Sequence, residues 1–458
     1  MYFFKLTLLL VNTLSMVSAV DEECIGQPPC YCSTFVLRNQ SYYEMTCSNE
    51  GLLSIPKFDE IKVTNDALDI DLSKNNITVI GDSAFANFLV GGNTEIEIDL
   101  SSNRLQNITA AAFEGIAKNI VYLDISNNNL SALAGGLLEL SSLQTLLANG
   151  NPVKILNDDL FKVVGESLTY FSVNMSFIVF WPESMQHLMS LKQLDLYGLR
   201  YTDIPVDAFD GFSESLLSLS LKKSYLPNIP QAVCSLKNMF QLDLEGSFIK
   251  NTTFICTSPL VSMIDLNMNE CTLDRFPNML ASFPALKTLK IALNQIKDIA
   301  EVFIPMNHSL ENLDMSFNRL QSIPYALTKF HLMVDLVLNF NNIMSVQIDD
   351  LKNFTSLIWL ELNSNGILKI SDDAFQNNIN LDEINLSANN LTKIPSSVKT
   401  LSELKYLDLS FNDIKCTCSN FHLLKGWTVS NDLSLSGYCN QEKSSLELYI
   451  NDRLPYCL

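Results

Sequence analysis

Eleven cysteines, four histidines and an aspartate that recurs between alternating leucines have the types and spacing to do chemistry in this 458-residue chain. The histidines (His187, His308, His331 and His422) form no H-E-x-x-H pair. None is spaced from Cys or carboxylate as a metal site requires. There is no glycine-rich phosphate loop. Asp71, Asp99, Asp124, Asp195, Asp243, Asp265, Asp314 and Asp408 suggest paired catalytic carboxylates or calcium ligands. They sit, however, at one place in repeated L-D-L-S-like phrases, where they read as a solvated stripe. No catalytic residue, metal or cofactor is expected, and the chain does not read as an enzyme.

The cysteines fall into two outer sets. Cys24, Cys30, Cys32 and Cys47 are spaced C-x5-C-x-C-x14-C, and Cys416, Cys418, Cys439 and Cys457 are spaced C-x-C-x20-C-x17-C. Four cysteines can pair in three ways or hold a tetrahedral zinc. The start of the chain argues for disulfides. Lys5, an apolar run from Leu6 to Val17 and the small-residue site Val17-Ser18-Ala19 precede Asp21, Glu22 and Glu23, which reads as a secretory signal peptide over residues 1–19. No later run reaches the roughly 18 apolar residues that cross a bilayer, and the end at Leu458 carries no lipid-anchor tail. A secreted chain without a membrane anchor is expected. Its net charge of -20 argues against nucleic acid as a partner.

These residues are positioned by a repeat. The template L-x-x-L-x-L-x-x-N-x-L can be laid down fifteen times, with its Asn slot at Asn75, Asn103, Asn128, Asn151, Ser176, Leu199, Ser224, Ser247, Asn269, Asn294, Asn318, Asn341, Asn365, Asn389 and Asn412. The mean step is about 24 residues. Alternation of period two makes each x-L-x-L-x a short strand with leucines inward, as with Leu194 and Leu196, and Gln193, Asp195 and Tyr197 outward. Such a strand buries its apolar face only by stacking on its neighbours in a parallel sheet. Phe85, Phe113, Phe161, Phe209 and Phe375 read as buried aromatics of the opposite side. So do the Ile204-Pro205, Ile229-Pro230, Phe276-Pro277, Ile323-Pro324 and Ile394-Pro395 pairs as turns that fix the backbone there. Phe317, Phe340 and Phe411, one place before the Asn, read as consensus packing.

In its repeats and its two cysteine sets the chain resembles extracellular leucine-rich repeat proteins, Toll-like receptor ectodomains in particular. The resemblance implies an α/β solenoid, a curved horseshoe of about 15 repeats with a parallel concave sheet, closed by disulfide caps. It implies a buried ladder of Asn side chains, and Trp427 as the cap aromatic. It also implies the pairings Cys24–Cys32, Cys30–Cys47, Cys416–Cys439 and Cys418–Cys457. The expected organisation is signal peptide 1–19, N-terminal cap 20–58, repeats 59–415 and C-terminal cap 416–458. Cys234 and Cys256 occupy near-equivalent places on neighbouring repeats, so a further disulfide is expected, contributing roughly 3 kcal/mol. Cys271 is assigned to a consensus leucine position as a buried, inert thiol. Ten N-x-S/T sequons are expected glycosylation sites: Asn39, Asn76, Asn107, Asn129, Asn174, Asn251, Asn307, Asn353, Asn385 and Asn390.

The four slots without Asn are consecutive, and Leu199 has no polar group to offer the next coil. Over these repeats Tyr170, Asn174, Gln193, Asp195, Tyr197, Lys222, Asp243 and Glu245 point outward and form the candidate ligand patch, tyrosine being a favoured anchor. Lys222 and Lys223 add positive charge to an acidic face. The competing reading has Leu199 simply packed in the core. A second candidate face carries Trp359, Glu361, Tyr406 and Asp408. The expected partner is an extracellular protein or glycan, in innate immune pattern recognition, and a second copy of the chain is a further candidate. The alternatives are a matrix, adhesion or guidance binder and, more remotely, an enzyme inhibitor.

Overall fold

In a computed structural model, residues 20–23, 29–37, 39–250, 253–299, 305, 308–429, 432–441 and 444–457 are described. They divide into two compact units. One is Met1–Tyr197 with Asp210–Ser215, and the other is Gly198–Phe209 with Leu216–Leu458.

In the first unit, Tyr31–Leu37 and Gln40–Thr46 form an antiparallel hairpin. Its second strand starts a parallel ladder through Ala67–Asp71, Glu95–Asp99, Ile120–Asp124, Thr145–Ala148, Tyr170–Asn174 and Gln193–Tyr197. The second unit continues the same motif in parallel strands from Ser218–Ser220 to Ser434–Ser436. Alternation does the work predicted for it. Leu194, Leu242, Leu266, Leu313 and Leu407 are buried, while their strand neighbours are half-exposed. Each buried leucine contributes about 1.5–3 kcal/mol.

On the side opposite the strands, Phe85, Phe113, Phe161, Phe209 and Phe375 are wholly buried, and Phe85 stacks on Phe113 with centroids 5.8 Å apart. Short 3₁₀ helices begin directly after Pro182, Pro230, Pro324 and Pro395, the fixed φ of proline setting the entry. A longer helix, Asp158–Val164, is capped by the Asn157 side chain, which accepts from the Asp159 N–H.

The Asn ladder follows one pattern. Asn103 donates to the Leu72 carbonyl of the preceding coil (2.9 Å) and to its own Leu100 carbonyl (3.1 Å), and accepts from the Ile77 N–H (3.0 Å). Asn318 repeats this with Ile291, Met315 and Ile296. These bonds satisfy backbone groups that the coil turns would otherwise leave buried and unpaired. The residue before the slot takes a left-handed conformation in nearly every repeat, among them Lys74, Ser102, Lys223, Leu293 and Phe317.

That conformation corrects one assignment. Glu270, not Met268, has positive φ. The slot of this repeat is therefore Cys271, not Asn269, and Cys271 is not in a leucine position. Its thiol donates to the Leu244 carbonyl at 3.3 Å, where an Asn amide would stand. Asn269 instead accepts from the Ala292 N–H. Burial, as the largest cause, pushes the Cys271 thiol up to about 12.

Leu199 is completely buried. In Asn repeats, the N–H after the slot donates to a carbonyl two residues past the preceding slot, as Asn129 does to Leu105 and Arg319 to Ile296. Through Leu199, Ser224 and Ser247 the route tightens: Tyr225 N–H donates to the Leu199 carbonyl and Phe248 N–H to the Ser224 carbonyl. A serine is too short to bridge the gap an Asn fills, so these coils join through slot residues directly. Ser224 accepts from the Leu199 N–H (3.2 Å), and Ser247 accepts from the Ser224 N–H (3.1 Å) while donating to Leu221 (2.9 Å). Outside them, Tyr225 stacks on Phe248 at 4.8 Å with the Arg200 guanidinium over its ring. Leu199 is core packing, and its repeats have replaced the ladder rather than lost it.

Disulfides join Cys30–Cys47, Cys234–Cys256, Cys416–Cys439 and Cys418–Cys457. Cys32 is also disulfide-bonded. Cys24, its expected partner, lies outside the described residues, as do the signal peptide and the sequons Asn251 and Asn307. Among the other sequons, Asn39, Asn107, Asn129 and Asn390 are exposed. Asn76, Asn174, Asn353 and Asn385 are half-buried, and Asn353 donates its amide to the Thr328 carbonyl.

Candidate functional site

In the first unit the proposed anchors are engaged with one another. The Tyr170 hydroxyl donates to Asp195 Oδ2 at 2.6 Å, and Gln193 Nε2 donates to the same oxygen at 3.3 Å. Tyr170, Asn174 and Tyr197 are half-buried. Leu147 and Ser172 face outward by register yet are buried, Ser172 receiving the Asn149 amide. Tyr170, Gln193 and Asp195 thus form a half-buried, hydrogen-bonded row.

Its neighbours toward the N-terminus are carboxylates. Register places Glu44, Asp69 and Glu97 side by side, next to Asp71, Asp99 and Asp124. Burial, then the charges of Glu97, Glu44, Asp71 and Asp99, push the Asp69 carboxyl up to about 7. Burial and then Glu95 raise Glu97 as well. Asp71, Asp99 and Asp124 each accept the N–H two residues on, from Ser73, Ser101 and Ser126. Asp243, Asp314 and Asp408 do likewise. Six of the eight recurrent aspartates thus form an Asx turn at the strand end, a role more specific than a solvated stripe. Asp195 and Asp265 stand two residues earlier in register, and Asn174 and Asn267 make the same turn at strand ends. Among the described residues no group of three or more His, Cys, Asp or Glu side chains is arranged to hold a metal ion.

In the second unit Lys222 does not offer free positive charge. It pairs with Asp243 at 2.8 Å and with Glu245 at 3.2 Å. Burial disfavours its charged form, but these two carboxylates outweigh it and raise its pKa.

Further along the same unit the outward row runs Asn312, Asp335, Trp359, Glu383 and Tyr406, beside a second row of Asp314, Val337, Glu361, Asn385 and Asp408. Trp359 is 43% exposed, and its indole N–H donates to Glu361 Oε1 at 2.7 Å. Burial raises the Asp335 carboxyl, and burial raises Glu361 against the opposing bonds from Trp359 and Asn385. Along the edge where these strands turn stand Leu293, Phe317, Phe340 and Phe411. They are exposed, not packed in the core as expected, with Phe317 at 43%, Phe340 at 44% and Phe411 at 88%. Phe317 and Phe340 stack face to face with centroids 4.2 Å apart. Their misreading has a simple source: the place before the Asn is left-handed, which turns its side chain away from the core.

The sequence matches the leucine-rich repeat family over residues 97–153, 355–414 and 309–330. This chain carries leucine-rich repeats. It is 31% identical over 104 residues to leucine-rich repeat-containing protein 3 of Danio rerio, a match covering 23% of this chain and 35% of that protein. The chain therefore spans about a third of the length of that curated relative. Among solved structures, a leucine-rich repeat protein of Leptospira interrogans superposes with a TM-score of 0.66 at 20% identity, covering 85% of this chain and 94% of the other. Toll in the Drosophila Toll–Spatzle complex superposes with a TM-score of 0.60 at 16% identity, covering 92% of this chain and 65% of that one. Its glycosylated form gives 0.65 at 15% identity, with coverage of 91% and 67%. These likenesses establish a leucine-rich repeat solenoid shared with Toll. Among the described residues no helix is long and apolar enough to cross a membrane.

Proposed function

We propose that this chain is an extracellular binding protein, which holds a protein ligand against the outward side chains of its leucine-rich repeat strands, in innate recognition. The observation that carries this reading is the second unit's strand face, where Trp359, Tyr406 and carboxylates stand exposed or half-exposed beside an aromatic edge. Exposed tryptophan and tyrosine are the side chains that dominate binding interfaces. The disulfides support a secreted setting, since such bonds persist in oxidising compartments. On this reading residues 1–19 are a signal peptide, 20–58 and 416–458 are caps, the exposed sequons carry glycans, and no enzyme activity is involved. Toll, a neighbour in fold seen in complex with Spatzle, is consistent with a protein-ligand role.

The test is affinity capture on the chain from residue 20 to 458, comparing microbial surface extract with host extracellular fluid. Enrichment of a microbial component that the Trp359→Ala variant fails to retain supports recognition. Enrichment of a host matrix or cell-surface protein moves the reading to adhesion. Capture of nothing by the folded, glycosylated chain overturns the binding role.

A further inference from the structure

The strand-end edge of the second unit carries an apolar ridge that the fold alone does not explain. Leu293, Phe317 and Phe340 occupy the same place in successive repeats, all exposed and all left-handed, with φ of 55°, 52° and 52°. A bulky apolar residue is unfavourable in that conformation, and in the other repeats the place mostly holds glycine or a small or polar residue, such as Gly150, Gly198, Gly246, Asn127, Ser102 or Lys74. Three large apolar side chains in a row therefore sit where the backbone disfavours them, each with 43–46% of its surface still open.

Beside this ridge lie Asp314, Asp335, Glu361, Glu383 and Asp408. Other carboxylates of the unit have lysine partners: Asp243 and Glu245 with Lys222, Asp265 with Lys290, Glu311 with Lys287, and Asp382 with Lys405. Among the described residues these five have none within ion-pair distance. Asp335 and Glu361 are held above their usual range by burial in this face, so each would gain from a cation brought against it.

We infer that this face docks a basic amphipathic segment of a protein partner, with apolar side chains laid on Leu293, Phe317 and Phe340 and its lysines or arginines against the carboxylates of the two adjacent rows, Asp335 in one and Glu361 in the other. The inference rests on the protein-binding role proposed above and specifies its partner's chemistry. Charge complementarity selects a basic segment over an acidic or neutral one, in a chain whose net charge is -20. The apolar ridge selects a segment with hydrophobic side chains over a purely charged tail.

The experiment uses the full glycosylated chain and three synthetic peptide probes: a Leu/Lys amphipathic peptide, its Leu/Glu counterpart and a Ser/Lys peptide of equal charge. Binding is read by fluorescence anisotropy at low and physiological salt. The key variant is Phe317→Asn with Phe340→Asn, because Asn accepts the left-handed conformation and should leave the melting temperature unchanged or raised. Asp335→Asn with Glu361→Gln is the second variant. The expected result is binding of the Leu/Lys peptide, weakened about tenfold by the Phe pair. The carboxylate pair should weaken it similarly at low salt and less at physiological salt. The Ser/Lys peptide should be insensitive to the Phe pair, and the Leu/Glu peptide should not bind. Equal affinity of the Leu/Lys peptide for wild type and the Phe pair overturns the inference, as does equal binding of the Leu/Glu peptide. A captured partner that binds the Phe pair at full strength also removes the docking face, while leaving the binding role itself intact.

Discussion

Asp69 is the carboxylate whose removal should strengthen the fold. It stands between Glu44 and Glu97 in register, and its carboxyl is pushed from 3.8 up to about 7, burial contributing most and the surrounding carboxylates the rest. The sign follows from proton linkage. Well below pH 3.8 the group is protonated in folded and unfolded chains alike, so it contributes nothing to pH dependence there. Between pH 4 and 7 the unfolded chain gives up this proton while the folded chain keeps it, so stability falls as pH rises, and above about pH 7 the loss is complete. A shift of about three units at about 1.4 kcal/mol each sets the loss at up to about 4 kcal/mol. Asp69→Asn keeps the shape and never ionises. Urea unfolding of the variant, followed by tryptophan fluorescence and circular dichroism from pH 3 to 8, should lie nearest wild type at pH 3 and exceed it progressively toward pH 8. Parallel stability curves for the two proteins, offset by the same amount at every pH, would refute the placement of Asp69 among charged neighbours.

Three further outcomes follow from the ladder. Asn318→Ala strands the Ile291 and Met315 carbonyls and the Ile296 N–H, and should cost about 3 kcal/mol in denaturant unfolding. Leu199→Asn should also destabilise, by about 2–4 kcal/mol, because the tightened coil route leaves its amide unmatched and the core loses a buried leucine. A gain in stability there would mean the ladder can be restored. Cys271, buried and held up near 12, should resist iodoacetamide at pH 8 in the native protein and react only once the chain is unfolded.

What the sequence disclosed and what it hid divide along a physical line. The repeat, the inward leucines and the buried phenylalanines of the far side were legible because period two and a step of about 24 residues dictate them locally. The ladder slot at Cys271 was misplaced by two residues because an Asn happened to stand nearby at Asn269, and only the left-handed Glu270 separates the two. Leu199 looked like a missing rung because a ladder is defined by one side chain, whereas the structure satisfies the same backbone groups by moving the coils together. The bond between Tyr170 and Asp195 was hidden for a similar reason: outward register says where Cβ points, not which neighbour a hydroxyl will reach. Phe317 and Phe340 were taken for core because aromatic residues beside a consensus Asn resemble packing. One signal was in the sequence all the same, since the equivalent place elsewhere holds glycine or a small or polar residue, as at Gly198, Gly246, Asn127, Ser102 and Lys74, and not a core residue. A place filled mostly by glycine and polar residues is not a core place, and an aromatic there must face solvent or a partner.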